Sequence, residues 1–202
     1  LDIVLTTSYT DVTCHGEADG TITASATGGA VITVNGNPLA NPYGPGIYTV
    51  RAEAPGYEGA ICFEETTITI SEPLDIVLTT SYTDVTCHGE ADGTITASAT
   101  GGAVITVNGN PLANPYPAGV YTVRAEAPGY EGAVCFEEAT ITILEPLDIV
   151  LTTSHTDVTC NGADDGTITA SATGGAVITV NGAALANPYP AGVYTVRAEA
   201  PG

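Results

Sequence analysis

The sequence has no methionine, tryptophan or lysine, and its entire side-chain positive charge is Arg51, Arg124 and Arg197. Against 23 carboxylates this leaves a formal net charge of −20, which repels polyphosphates and anionic lipid surfaces, so neither a nucleic-acid partner nor membrane insertion is expected. No apolar run approaches the roughly 20 residues that a membrane-spanning helix needs. No Asn-x-Ser/Thr sequon occurs, which removes the usual N-glycan acceptor. There is no Cys-x-x-Cys, and zinc would require four clustered ligands. Initiator methionine and secretion signal are both missing, and the chain reads as a window on a longer array.

What the sequence has is repetition. "LDIVLTTS" begins at Leu1, Leu74 and Leu147, a period of 73 residues. Six positions separate the first copy from the second: Gly44/Pro117, Pro45/Ala118, Ile47/Val120, Ile61/Val134, Thr66/Ala139 and Ser71/Leu144. The expected domains are 1–73, 74–146 and 147–202, the last without its final strand and second cysteine. They join through "SEPLD" and "LEPLD" with no flexible tether. Pro73 and Pro146 fix φ and restrict the glutamate before them, so one domain's last strand passes almost directly into the next domain's first.

Within a repeat, helix signals are missing and period-two alternation dominates, the pattern of an all-β sandwich. Leu1, Ile3 and Leu5 share one face of a first strand. "GTITASAT" places Ile22, Ala24 and Ala26 opposite Thr21, Thr23, Ser25 and Thr27. "AVITV" runs into Asn35-Gly36, a type I′ hairpin signal, with a short return strand near Pro38–Ala40. In "GIYTVRAEA" the inward set is Tyr48, Val50, Ala52 and Ala54, leaving Arg51 outward to pair with Glu53 or an acid across the strand. Tyr48, just after a Gly turn, matches the tyrosine corner of immunoglobulin-like sandwiches. In the last strand, Cys62, Ile68 and Ile70 share a face with Glu64, and a bulge near Glu64 and Glu65 is expected to restore the alternation.

The cysteines are Cys14, Cys62, Cys87, Cys135 and Cys160. Two per complete repeat, 48 residues apart, read as structural disulfides Cys14 to Cys62 and Cys87 to Cys135 in an oxidising compartment, with Cys160 left unpaired by truncation. Such a bond would close a loop of 49 residues, worth roughly 4 kcal/mol to a thin sandwich rich in Ala and Thr.

These motifs resemble the SprB repeat of Bacteroidetes surface proteins, named for the gliding-motility adhesin. The residues that carry the likeness are Cys14, Gly16, Asp19, Gly20, Ile22, Gly28, Gly29, Gly46, Tyr48, Thr49, Val50, Cys62 and Pro73. The resemblance implies a large secreted protein at the cell surface, an adhesin or filament.

"CHGEADG" offers Glu17 and Asp19, with Glu90 and Asp92 in the second repeat and Asp11 nearby, as oxygen ligands that calcium would accept. An Asp-Gly turn leading into a strand explains the same residues without a cation, and no cofactor is expected. His15 and His88 read as solvated side chains. Tyr43, Tyr57, Tyr116 and Tyr130, with Tyr9, are candidate sugar platforms, and outward Thr21, Thr23, Thr67 and Thr69 are candidate O-glycan sites. Nothing places a nucleophile beside a base in one pocket, so no enzyme is expected. The expectation is a rod of tandem immunoglobulin-like β-sandwich domains, each advancing it by roughly 35 Å, and serving as the stalk of a secreted surface adhesin or filament. The alternative is a set of glycan- or protein-binding modules acting by avidity. The partners foreseen are neighbouring repeats, surface glycans, and further copies assembling into fibres, with the third repeat completed by another chain.

Overall fold

The computed structural model describes residues 2–200 and is all-β. The first repeat folds as β1 (Leu5–Thr10), β2 (Thr21–Ala26), β3 (Val31–Val34), β4 (Asn37–Pro38), β5 (Gly46–Pro55) and β6 (Ile61–Ile70). The second repeats the series as β7 (Leu78–Thr83), β8 (Thr94–Ala99), β9 (Val104–Val107), β10 (Asn110–Pro111), β11 (Gly119–Pro128) and β12 (Val134–Ile143). In the third are β13 (Leu151–Thr156), β14 (Thr167–Ala172), β15 (Val177–Val180), β16 (Ala183–Ala184) and β17 (Val196–Glu199). The chain divides into two compact units, one formed by 1–80, 97–112 and 122–140, the other by 81–96, 113–121 and 141–202.

In the first repeat a two-stranded sheet, β1–β2, faces a four-stranded sheet ordered β4–β3–β5–β6, an immunoglobulin-like sandwich. Val12, Ile22, Val34, Val50, Ile68 and Ile70 are buried between them, and Leu5, Ala24, Ile32, Leu39, Tyr43 and Tyr48 pack around this core. The alternation read from the sequence holds: Val50, Ala52 and Ala54 are buried on β5, and Ile22 on β2. β1 begins at Leu5 and continues to Thr10, further along the chain than expected, while Leu1 lies outside the described residues.

Local chemistry fixes the turns. Asn35 (φ 49°) and Gly36 (φ 78°) both take left-handed conformations, as a type I′ hairpin demands. Asn35 then accepts the Thr49 N–H at 2.8 Å and donates its own N–H to the Thr49 carbonyl at 2.8 Å. The Tyr48 hydroxyl donates to the Gly44 carbonyl at 3.0 Å, and its counterparts Tyr121 and Tyr194 bond Pro117 and Pro190 in the same way. At Gly20 the two sheets come so close that a Cβ would stand 2.9 Å from Ile70 Cγ2 and 3.0 Å from the Tyr43 carbonyl oxygen. The Asn41 side chain performs a strand's work, accepting the Ile22 N–H at 2.7 Å and donating to the Ile22 carbonyl at 3.0 Å.

The expected bulge near Glu64 and Glu65 is absent. β5 and β6 pair without interruption from Gly46↔Ile70 to Pro55↔Ile61, with Ala52 opposite Glu64. Glu64 does share a face with Ile68 and Ile70, yet it is exposed. The facing sheet has only two strands and the buried core lies against the Ile68–Ile70 end of β6, so the strand needs no correction to keep a carboxylate in water.

Candidate functional site

The segment from Asp11 to Asp19 is a turn that closes on itself and then grips the exit of its own repeat. Thr13 donates its N–H to Asp19 Oδ1 at 2.9 Å and its hydroxyl to Asp19 Oδ2 at 2.6 Å. The Thr13 hydroxyl, and next its N–H, hold the Asp19 carboxyl below its ordinary pKa, because both bonds favour the ionised form. Asp92 with Thr86 and Asp165 with Thr159 repeat the arrangement and the shift. Gly16, at φ 75°, lets the chain reverse there.

The exit strand is fastened at four points. Asp11 Oδ1 accepts the Ser71 N–H at 2.7 Å and the Val12 N–H donates to the Ser71 carbonyl at 3.1 Å. Glu72 Oε2 accepts the Gly16 N–H at 3.0 Å and lies 3.2 Å from His15 Nδ1. The second repeat has the same clamp, with Glu145 held by Gly89 at 3.0 Å and His88 at 3.4 Å. Glu72 and Glu145, read from sequence only as neighbours of a proline, are therefore the residues that the turn holds.

On its other side the turn meets the second repeat. Cys14 is bonded to Cys135, with Cα atoms 5.6 Å apart, and both belong to the first compact unit. The Tyr130 N–H donates to the Thr13 carbonyl at 3.1 Å. A Cβ on Gly129 would collide with that same carbonyl oxygen, so the approach requires glycine. Tyr130 is 40% exposed, whereas Tyr57 at the same register in the first repeat is 90% exposed.

This corrects the expected pairings Cys14–Cys62 and Cys87–Cys135. β6 is a single extended strand beginning next to Cys62 and ending at Ile70, beside the Ser71 that Asp11 holds. At about 3.3 Å per residue, Cys62 stands roughly 30 Å from the turn that carries Cys14, far outside disulfide reach. The bond spans 121 residues, one period plus the spacing within a repeat. Cys62, Cys87 and Cys160 carry free thiols among the described residues.

The remaining candidates fall in separate places. Tyr43 and Tyr116 are framework residues whose hydroxyls accept the N–H groups of Ala40 and Ala113, with Tyr43 edge-on to Tyr48 at 4.9 Å. Tyr57 and Tyr130 lie in the loops between β5 and β6 and between β11 and β12, and Tyr9 is half exposed on β1. Glu17 and Glu90 are exposed, both Asp19 oxygens are engaged by Thr13, and Ala163 replaces the glutamate in the third repeat. Among the described residues no three His, Cys, Asp or Glu side chains converge as a metal site would require.

Arg51 pairs with Glu53 at 2.6 Å and Glu65 at 3.7 Å, as expected, and its guanidinium also lies 3.9 Å from the centre of the Phe63 ring, a contact the sequence reading missed. Arg124 repeats this with Glu126, Glu138 and Phe136, and its pKa is raised, first by the Glu138 hydrogen bond.

A SprB repeat family model matches residues 6–33, 79–106 and 152–181, each match starting before the cysteine turn and ending in or just after the third strand of its repeat. The chain carries three SprB repeats. No curated protein and no solved structure matches it. The SprB repeat is a structural, adhesin-type repeat associated with cell-surface proteins, not an enzymatic one. Among the described residues no helix is long and apolar enough to cross a membrane.

Proposed function

We propose that these SprB repeats form a spacer region of an extracellular surface protein, a stalk of three sandwich domains at 1–73, 74–146 and 147–202 that holds a distal part away from the cell. The observation that carries this reading is the junction. The exit strand is clamped by its own repeat through Asp11, His15 and Gly16, and that same turn is bonded covalently to the next repeat through Cys14. A junction fixed on two sides resists bending, which suits a spacer, and the charge of −20 keeps neighbouring stalks apart. Disulfides belong to oxidising compartments, in keeping with a secreted protein.

The test is small-angle X-ray scattering on the chain. Three domains of about 35 Å in line give a rod of about 100 Å with a radius of gyration of about 30 Å. A compact body of this length would have a radius of about 17 Å, and that result would refute the spacer.

A further inference from the structure

The four-stranded sheet ends on an open edge. In its order β4–β3–β5–β6 the ten-residue β6 comes last, and β12 comes last in the matching sheet of the second repeat. Along an antiparallel strand the N–H and C=O of successive residues point to alternate sides. Thr49 turns both toward Asn35, so the even-numbered residues of β5 are the ones that bond β6, and they stand opposite the even-numbered residues from Cys62 to Ile70. The backbone groups of Ile61, Phe63, Glu65, Thr67 and Thr69 therefore point away from β5. Ser71 continues that series, and its N–H and C=O are taken by Asp11 and Val12. Further up the strand, residues 63–67 are all exposed. Leu144 is held by Asp84 and Val85 in the same way, so Phe136, Glu138 and Thr140 are the open positions of β12. A long bare edge built from Ile, Phe and Thr, with no proline, is a template for another strand. Lysine is the side chain most used to guard such an edge, and this sequence has none.

We propose that Glu64 and Glu137 are the guards, keeping the edges of β6 and β12 from pairing with the same edges of other copies of this chain. Glu64 lies on the inward face with Ile68 and Ile70, yet it is exposed, as is Glu137. The arginines are occupied by Glu53 and Glu65, by Glu126 and Glu138, and by Glu199, so neither guard has a cation beside it among the described residues. A strand added at the edge would extend the sheet over the inward carboxylate and take it from water without a partner, which is costly. Two β6 edges paired antiparallel with Glu65 opposite its mate set Glu64 opposite Thr66 of the other copy. Four carboxylates then crowd the centre of the pair, and like charges facing each other across strands are destabilising. The first repeat is followed by a complete repeat and the second is preceded by one. The guard is exposed in both settings, so the open edge belongs to the repeat itself. The inference rests on the edge geometry and not on the spacer role.

The experiment uses the full chain with Cys62→Ser, Cys87→Ser and Cys160→Ser, so that thiol oxidation cannot link copies. Light scattering coupled to size exclusion follows mass against protein concentration. The parent chain should stay monomeric. Adding Glu64→Thr and Glu137→Thr should produce dimers and larger species at a concentration at least tenfold lower than any at which the parent associates. The isosteric pair Glu64→Gln and Glu137→Gln should do the same, with circular dichroism and melting temperature unchanged because the sites are exposed. Glu17→Gln with Glu90→Gln removes the same two charges from exposed turn residues and should leave the chain monomeric. Thr67→Pro with Thr140→Pro, added to the threonine pair, removes N–H groups that face the open side, where proline is tolerated, and should restore the monomer. Guard variants that stay monomeric overturn the proposal. So does association of the Glu17→Gln, Glu90→Gln chain at the same concentration, which would make net charge the cause, or association that survives the two prolines in a folded chain, which would place the contact elsewhere.

Discussion

Replacing Cys14 by serine separates the observed pairing from its rival. Closing a loop across 121 residues restricts the denatured chain enough to stabilise the native one by about 5 kcal/mol. If the second repeat opens while the first stays folded, the loop is roughly half as long, and the figure falls only to about 4 kcal/mol because the dependence is logarithmic. With a urea slope of about 1–2 kcal/mol/M for a small domain, Cys14→Ser should lower the midpoint of the affected transition by about 2–4 M. Cys135→Ser should do the same, and the double variant should be no worse, since both remove one bond. Cys62→Ser should change stability by less than about 0.5 kcal/mol. The covalent arrangement is readable directly, because trypsin can cut only after Arg51, Arg124 and Arg197. A non-reduced digest should join peptide 1–51 to peptide 125–197 and leave 52–124 alone. Finding 1–51 bonded to 52–124, or Cys62→Ser as damaging as Cys14→Ser, would refute the reasoning.

Other expectations concern single repeats. Asn41→Ala strips both partners from the buried Ile22 backbone and should cost about 2–4 kcal/mol in denaturant unfolding. Gly20→Ala drives a methyl into Ile70 and the Tyr43 carbonyl; a loss of about 1–3 kcal/mol is expected by thermal melting, and a neutral result would contradict the close approach of the sheets. The depressed Asp19, Asp92 and Asp165 carboxyls stabilise the fold above the ordinary carboxyl pKa of about 3.9. That contribution drains away as pH falls through their lower native values. Melting temperatures between pH 5 and pH 2 should therefore fall less steeply in the Asp19→Asn, Asp92→Asn, Asp165→Asn triple variant than in the wild type.

Features legible in the sequence were those decided over a few neighbouring residues. Alternation exposed the faces of β2 and β5, Asn35-Gly36 its hairpin, and Tyr48 its corner, because a pleat or a tight turn constrains each residue by its immediate neighbours. The disulfide register was not legible, since one pair per repeat is satisfied equally by bonds within and between repeats. A geometric signal was nevertheless present: an uninterrupted strand from Cys62 to the linker holds the two cysteines of one repeat at opposite ends. The bulge failed for a related reason, as alternation at Glu64 reports a face but not how far the opposing sheet reaches. Glu72 and Asn41 act across 56 and 19 residues, and no local pattern marks a side chain for so distant a partner.

The bond from Cys14 to Cys135 also changes what happens when the protein is pulled or cut. Tension entering at the first strand crosses the sulfur bridge and leaves along β12, so the roughly 120 residues from His15 to Val134 carry no obligation to stretch. Fully drawn out, that length would be on the order of 400 Å, slack that is unavailable until the bridge is reduced. A protease that nicks any loop inside it leaves the tether unsevered.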